Sequence, residues 1–371
     1  MLFHIVPDFA RTAVAFAVVL GVLVFVHEAG HYLAARWRGV HVEAFSIGFG
    51  RPLAAWTDRH GTQWKIGWLP LGGYVKMHGQ ERPQDVPEEV RADWVPSRTF
   101  HAKSVGSRAI VVAAGPVANF LLAMVLFTLL FATAGQPVAL PVVGDVLAGS
   151  AAARAGLQPQ DRVLAIDGAP IRDFTDIQRI VMAHPGAALA LRVQRDGGEL
   201  TLPVTTDVRE EDGRRIGLLG IRGGATTFRR LAPLHALGAG VVQAWDVAAD
   251  TLGGVWQMVS GRRSTEDIGG PLRIAQLSGQ VAQLGIASLV SFIAVLSINL
   301  GLINLFPIPI LDGGHLLFYI AEAVRGRPIP PRAQEYGFRA GFALLVGLFI
   351  LATWNDLTHL GLFRWVSGLI G

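Results

Sequence analysis

Cysteine is absent from this 371-residue chain, which excludes disulfides and leaves histidine, aspartate and glutamate as its strong metal ligands. Charge is scarce as well: 16% of residues are Asp, Glu, Lys or Arg, against 51% hydrophobic and a mean hydropathy of +0.42. A soluble protein of this length usually carries more charge, so the balance points to a membrane protein. The net charge is +4, with Arg far outnumbering Lys, yet no Lys/Arg-rich run of the nucleic-acid-binding kind occurs. The basic excess reads as loop arginine facing a membrane surface, and no nucleic-acid partner is expected. Solenoid-type repeats and low-complexity tracts are missing too.

Long apolar runs are what the chain does have. A helix needs about 20 apolar residues to span a bilayer, and four runs approach or exceed that: residues 12–35, 109–134, 286–306 and 340–354, the last one short and extendable back to Tyr336. The first run follows Asp8 and Arg11 and shows no small-residue cleavage site, so it reads as a retained span rather than a signal peptide. Arg36, Arg38, Arg51, Arg98, Lys103 and Arg108 flank the loop between the first two runs, and Arg325, Arg327, Arg332 and Arg339 flank the loop between the last two. The positive-inside rule then places both loops in the cytoplasm, and both termini and the long middle region on the other side.

Between the runs the pattern changes. Residues 43–77 alternate around a Pro-Gly-Gly turn at Leu69-Pro70-Leu71-Gly72-Gly73, which predicts short strands, and Trp56, Trp64, Trp68 and Tyr74 suit a membrane interface. Such a sheet either covers the loop or presents an edge strand to an extended peptide. Residues 80–96 are acidic and Pro-containing and read as mobile. Residues 138–222 have the length of a small soluble domain, with a helix expected over 174–183 and a hairpin over 189–200. Residues 235–260 hold Asp246 and Asp250 at helical spacing, which favours an amphipathic helix over a span.

The chemistry sits in His27-Glu28-Ala29-Gly30-His31, inside the first apolar run. Ionisable groups at membrane depth are costly and need a reason. A lone histidine on an apolar helix is more often structural, but His27 and His31 stand four residues apart on one helix face, where both can ligate one zinc ion. Glu28 stands beside them, placed to take a proton from a zinc-bound water. Catalytic zinc takes three protein ligands. The end of the third run offers Asp312 and His315. A turn or cap before Gly313-Gly314 equally explains Asp312, and an interfacial position equally explains His315.

Four separated motifs make a resemblance specific: the His-Glu motif; Gly48-Phe49-Gly50 with Gly72-Gly73-Tyr74-Val75-Lys76-Met77; Gly115-Pro116-Val117-Ala118-Asn119-Phe120; and Asn304-Leu305-Phe306-Pro307-Ile308-Pro309-Ile310-Leu311-Asp312-Gly313. In these the chain resembles the site-2 protease family of intramembrane zinc metalloproteases, and within it the bacterial regulator of sigma-E protease group. The resemblance implies Asp312 as the third ligand in place of His315. It also implies that Asn299, Asn304, Pro307 and Pro309 help hold substrate near the metal, with Gly48 and Gly50 in the same substrate-binding set. Residues 150–168 resemble part of a bacterial PDZ domain; enteric members carry two such domains in tandem, and this chain has room for one.

The expectation is therefore a polytopic α-helical membrane protein of about four transmembrane helices, with a membrane-associated β loop and one inserted PDZ-like α+β domain. Its parts are a first catalytic half (1–137), the PDZ-like periplasmic domain (138–222), an amphipathic linker (223–285) and a second catalytic half (286–371). The resemblance implies zinc-dependent cleavage, at the cytoplasmic side of a bacterial inner membrane, of single-span membrane proteins already trimmed by another protease, such as an anti-sigma factor or a signal-peptide remnant. A peptide C-terminus is a further possible partner for the PDZ-like domain. A membrane-anchored PDZ adaptor would not need Glu28. A metal transporter would need polar groups along several spans, which are otherwise apolar.

Overall fold

In the computed structural model, which describes residues 8–80, 86–92, 94–211, 214–264 and 269–359, the first apolar run folds as helix α1 (Asp8–Trp37). The helix outruns the apolar stretch because polar flanks keep the backbone ladder going, with Asp8 at the positive N-terminal end and Arg36 at the negative C-terminal end. Strands β1 (Val42–Thr57) and β2 (Gln63–Met77) follow. They are longer than the short strands the sequence suggests, because the Pro-Gly-Gly segment bends β2 without ending it. Residues 42–47 of β1 pair on one side with 73–77 and on the other with 63–66, while 52–57 pair with 63–67. The stretch 73–77 is thereby left as an edge. Its inner end packs with α1 and with α3 (Val105–Thr133) through Ala35, Val42, Phe45, Val75, Met77 and Val111. Of the acidic segment 80–96, residues 81–85 and 93 lie outside the described residues, and α2 (Glu88–Ala92) forms within it.

The chain divides into two compact units, one of them Phe131–Ala232. This second unit is α+β. Strands β3 (Gln136–Ala139), β4 (Val143–Val146), β5 (Arg162–Ile166), β6 (Ala169–Pro170), β7 (Ala188–Arg195), β8 (Gly198–Thr205), β9 (Asp207–Glu211), β10 (Arg214–Leu218), β11 (Ile221–Gly223) and β12 (Thr226–Arg229) accompany helices α4 (Ala151–Arg154) and α5 (Phe174–Ala183). The main sheet has the order β6-β5-β7-β8. In β7, alternate residues Leu189, Leu191 and Val193 enter the core, as a half-buried strand requires. Helix α5 starts where Asp173 accepts a hydrogen bond from the Asp176 N–H, and it buries Phe174, Ile177 and Val181 against that core.

The first unit resumes at Pro233 with α6 (Pro233–Val259), α7 (Pro271–Gln283), α8 (Ile286–Leu305), α9 (Asp312–Arg325) and α10 (Pro331–His359). α6 turns Ala236, Gly240, Ala244 and Ala248 inward and leaves Asp246 and Asp250 exposed. The Asp356 carboxylate of α10 accepts from the backbone N–H groups of Gly270, Leu272 and Arg273 and so caps α7. Among the described residues, α1, α3, α8 and α10 are long and apolar enough to cross a membrane. Their outer faces expose Val14, Val18, Leu121, Val125, Phe342 and Phe349, the surface that lipid demands.

Candidate metal centre

Small residues let three helices meet closely enough to build a site. A Cβ on Gly30 of α1 would lie 2.3 Å from the Ala114 carbonyl of α3, and one on Gly301 of α8 would lie 3.2 Å from the Pro116 carbonyl. Gly115 is as tight: its Cβ would fall 2.3 Å from His31 Nε2. Ser297 of α8 donates to the Asn119 carbonyl at 2.8 Å and ties α8 to α3.

Asp312 reaches this point by a fold-back. α8 ends at Leu305, a loop with Pro307 and Pro309 follows, and α9 starts at Asp312. The return is possible because Gly313 and Gly314 follow: a Cβ on either would lie 2.3–2.4 Å from the carbonyls of Leu305, Phe306 or Ile308. Ile310 adopts φ +101 in the same loop, a conformation that β-branched residues rarely take. An ion pair between Arg108 of α3 and Glu322 of α9, 2.7 Å long and largely buried, braces α9 further along.

The result is a small triangle. His31 Nε2 and His27 Nε2 are 3.2 Å apart, and Asp312 Oδ2 lies 3.2 Å from the first ring and 3.4 Å from the second in the order His27, His31. Four ligands at about 2.0–2.1 Å from a tetrahedral zinc ion sit roughly 3.3 Å from one another, so the spacing fits that ion. Asp312 Oδ2 is buried and has no hydrogen-bond donor among the described residues, which fits an oxygen meant for a cation. The far side of each imidazole is engaged: His31 Nδ1 lies 2.9 Å from the Val111 carbonyl, and His27 Nδ1 lies 3.2 Å from the Asn119 side-chain amide. Metal-bound histidines are typically held this way by their other nitrogen.

The other residues singled out in the sequence fall around this triangle. Glu28 is half-buried, with no hydrogen bond or ion pair among the described residues, and a Cβ on Gly73 of β2 would come within 3.1 Å of its Cγ. His315 turns its ring to Phe338 of α10, 5.4 Å between centroids, and is not part of the triangle. Asn299 accepts from Thr251 of α6 at 2.9 Å, and Asn304 donates to the Leu300 carbonyl at 3.0 Å. Pro309 packs under α10, where a Cβ on Gly341 would lie 2.0 Å from its carbonyl. Gly48 and Gly50 (φ +81 and +83) shape the bend of β1. The sequence assigns no role to Asn119 or Val111; the structure buries Asn119 completely against His27. The Gly115-to-Phe120 motif was the available signal.

Comparison with known proteins identifies the family. The model of peptidase family M50 matches residues 15–348. A protein of Rhizobium meliloti (strain 1021) that carries a zinc-metalloprotease name is 46% identical over 364 residues, spanning 94% of this chain and 97% of the relative. Metalloprotease MmpA of Caulobacter vibrioides is 38% identical over 383 aligned positions, spanning 95% and 96%. The regulator of sigma-E protease RseP of Salmonella typhimurium is 32% identical over 448 aligned positions, spanning 93% and 98%. With a family match across most of its length, relatives of this identity and coverage and a donor triangle of zinc dimensions, the chain belongs to peptidase family M50, the site-2 proteases, and is a zinc-dependent metalloprotease.

Proposed function

We propose that this chain cleaves peptide bonds within or at the edge of membrane-spanning segments of other proteins, with His27, His31 and Asp312 holding the zinc ion and Glu28 acting as general base and then acid. The convergence of three ligand atoms within 4.8 Å of one another, from residues separated by most of the chain, carries the reading. Zinc bound there supplies Lewis acidity toward a water molecule and the scissile carbonyl. The Glu28 carboxylate takes a proton from the attacking water and passes it to the leaving amine nitrogen. Its freedom from partners among the described residues suits that task.

A helical substrate hides its carbonyls in its own hydrogen bonds, and backbone groups freed in lipid cost several kcal/mol each unless paired again. The edge 73–77 of β2 offers a row of backbone donors and acceptors to an unwound segment. Gly73, packed on Glu28, brings that edge to the reacting carboxylate. Gly48 and Gly50 shape the sheet that presents it. In this reading Pro307 and Pro309 form the wall beside Asp312, and Asn299 and Asn304 steady that wall through their bonds to Thr251 and Leu300.

The soluble unit is read as a PDZ-like domain over 138–222. It is inserted between the catalytic halves 1–137 and 286–371, with 223–285 as an amphipathic linker. Arginine flanking the spans supports a bacterial inner-membrane orientation with this domain and both termini outside the cytoplasm and the metal centre toward the cytoplasmic side. There the domain would exclude substrates with bulky outer domains, so that pre-trimmed single-span proteins gain access, or would bind a newly exposed C-terminus. The test is Glu28→Gln in the full-length enzyme with a model single-span substrate. Stoichiometric zinc with no cleavage is the expected result, and undiminished cleavage would end the mechanism.

A further inference from the structure

Where α1 ends, a cavity of about 240 Å³ is lined by Arg36, Gly39, His41, His60, Thr62 and Arg98, together with two valines. The His41 N–H donates to the Arg98 carbonyl at 3.0 Å, which fixes the two arginine-bearing walls relative to each other. A third cation is close: a Cβ on Gly39 would lie 3.3 Å from Lys103 Nζ, which donates to the Ser97 carbonyl.

Nearby carboxylates offset this group only in part. Asp58 accepts from the neutral donors Tyr32 and Trp64 and from the N–H groups of His60 and Thr62, so it keeps its negative charge, but among the described residues it forms no ion pair with either arginine. Glu43 is paired with Lys76 and His78. Among the described residues neither Arg36 nor Arg98 has an ion-pair partner: Arg36 donates only to the Tyr32 hydroxyl, and Arg98 is exposed. His41 lies below the usual imidazole range, first because it is partly buried and then because His78, Arg98 and Arg36 repel a further charge, Glu43 opposing them. A neutral ring still offers one N–H donor.

Position narrows the guest. Arg36 and Trp37 close a helix long and apolar enough to span the bilayer, and Trp37, the residue after Arg36, is 72% exposed. Tryptophan and arginine at such an end mark headgroup depth. Planar guanidinium forks match phosphate oxygens in pairs. The volume falls below the roughly 300–1,000 Å³ of drug-sized sites, which suits a headgroup and not a larger ligand. We propose that this cavity binds a phosphate group, carried by an anionic phospholipid headgroup or free in solution. Its place at the end of α1 favours the lipid. The inference rests on the cavity and on α1 as a span, and not on the roles given to Glu28 or the zinc ligands.

The test uses the full-length protein in detergent, titrated with short-chain phosphatidylglycerol, with short-chain phosphatidylcholine, and with inorganic phosphate, reading the thermal midpoint and the lipid retained in native mass spectrometry. Phosphatidylglycerol is expected to raise the midpoint where phosphatidylcholine does not. Arg98→Ala is expected to weaken that binding at least about tenfold, since a hydrogen bond to a charged group contributes roughly 1.5–3 kcal/mol. Arg36→Ala should act alike. If it misfolds through loss of its Tyr32 contact, Arg98→Ala decides alone. Binding of inorganic phosphate without phosphatidylglycerol would keep the site and assign it the free anion. Absence of both, or equal weakening by Arg332→Ala on the exposed start of α10, would overturn the proposal.

Discussion

The Asn119 side-chain amide stands 3.2 Å from Nδ1 of His27, with both side chains buried. An imidazole ligates through Nε2 only when Nδ1 carries the proton, so the group facing Nδ1 has to accept it. Among the described residues Asn119 Oδ1 is buried without a partner, while Nδ2 faces the ring. A half-turn of the amide gives that oxygen the Nδ1–H and frees Nε2 for the cation. Asn119→Leu is therefore expected to lower zinc affinity about 10–100-fold, and Asn119→Asp to preserve it, in chelator competition on the purified enzyme. Equal affinity in all three would separate Asn119 from the metal.

Gly115 sets the clearance of the same site. A Cβ there would meet His31 Nε2 at 2.3 Å and His27 Cε1 at 2.9 Å. Gly115→Ala should strengthen α3 as a helix by up to ~1 kcal/mol and yet reduce zinc affinity at least about tenfold by displacing the ligand rings. Circular dichroism and metal content measured together distinguish the two effects. Full zinc occupancy at unchanged affinity would show that the rings have room to move.

The proposed third ligand separates from its neighbour just as cleanly. Asp312 Oδ2 lies within 3.4 Å of both imidazoles, whereas the His315 ring lies against Phe338. Asp312→Ala should lose zinc on dialysis while His315→Ala keeps it. The opposite pattern would move the ligand assignment to His315.

These cases show what the sequence discloses and where it stops. His27 and His31 are legible because four residues on a helix is a local spacing that no tertiary contact has to supply. Asp312 is not legible from its residues alone, because Asp-Gly-Gly reads as a turn. Only the fold-back through Gly313 and Gly314 turns it into the start of α9 and brings it to α1. The partner of Asn119 depends on how α3 crosses α1, which Gly30 and Gly115 permit but no periodicity announces. The apolar runs locate α1, α3, α8 and α10; they understate α1, α3 and α10, where polar flanking residues continue the helix, and match α8 to within one residue. Helix α5 is found at 174–183 as expected because its apolar face, cap and strand-like flanks agree.

The soluble unit offers a test that does not involve zinc. Asp161, 1% exposed, accepts from Arg195 Nε and Nη2, both at 2.7 Å, and from the Gln158 N–H at 2.8 Å. Burial alone would raise its pKa, but the Arg195 guanidinium and the Gln158 N–H outweigh burial and hold the carboxyl below the usual range. A carboxyl with a depressed folded pKa stabilises the fold at pH values above its unfolded pKa, and that contribution fades as pH falls through the folded value. Asp161→Asn in the full-length protein should therefore speed amide exchange in β5 and β7 at neutral pH, with the gap from wild type closing as the solution becomes strongly acidic. Hydrogen exchange read by mass spectrometry on peptides covering 162–166 and 188–195 checks both parts. A gap that stays constant down through the acid range would mean that shape, and not the charge of Asp161, holds these strands to Arg195.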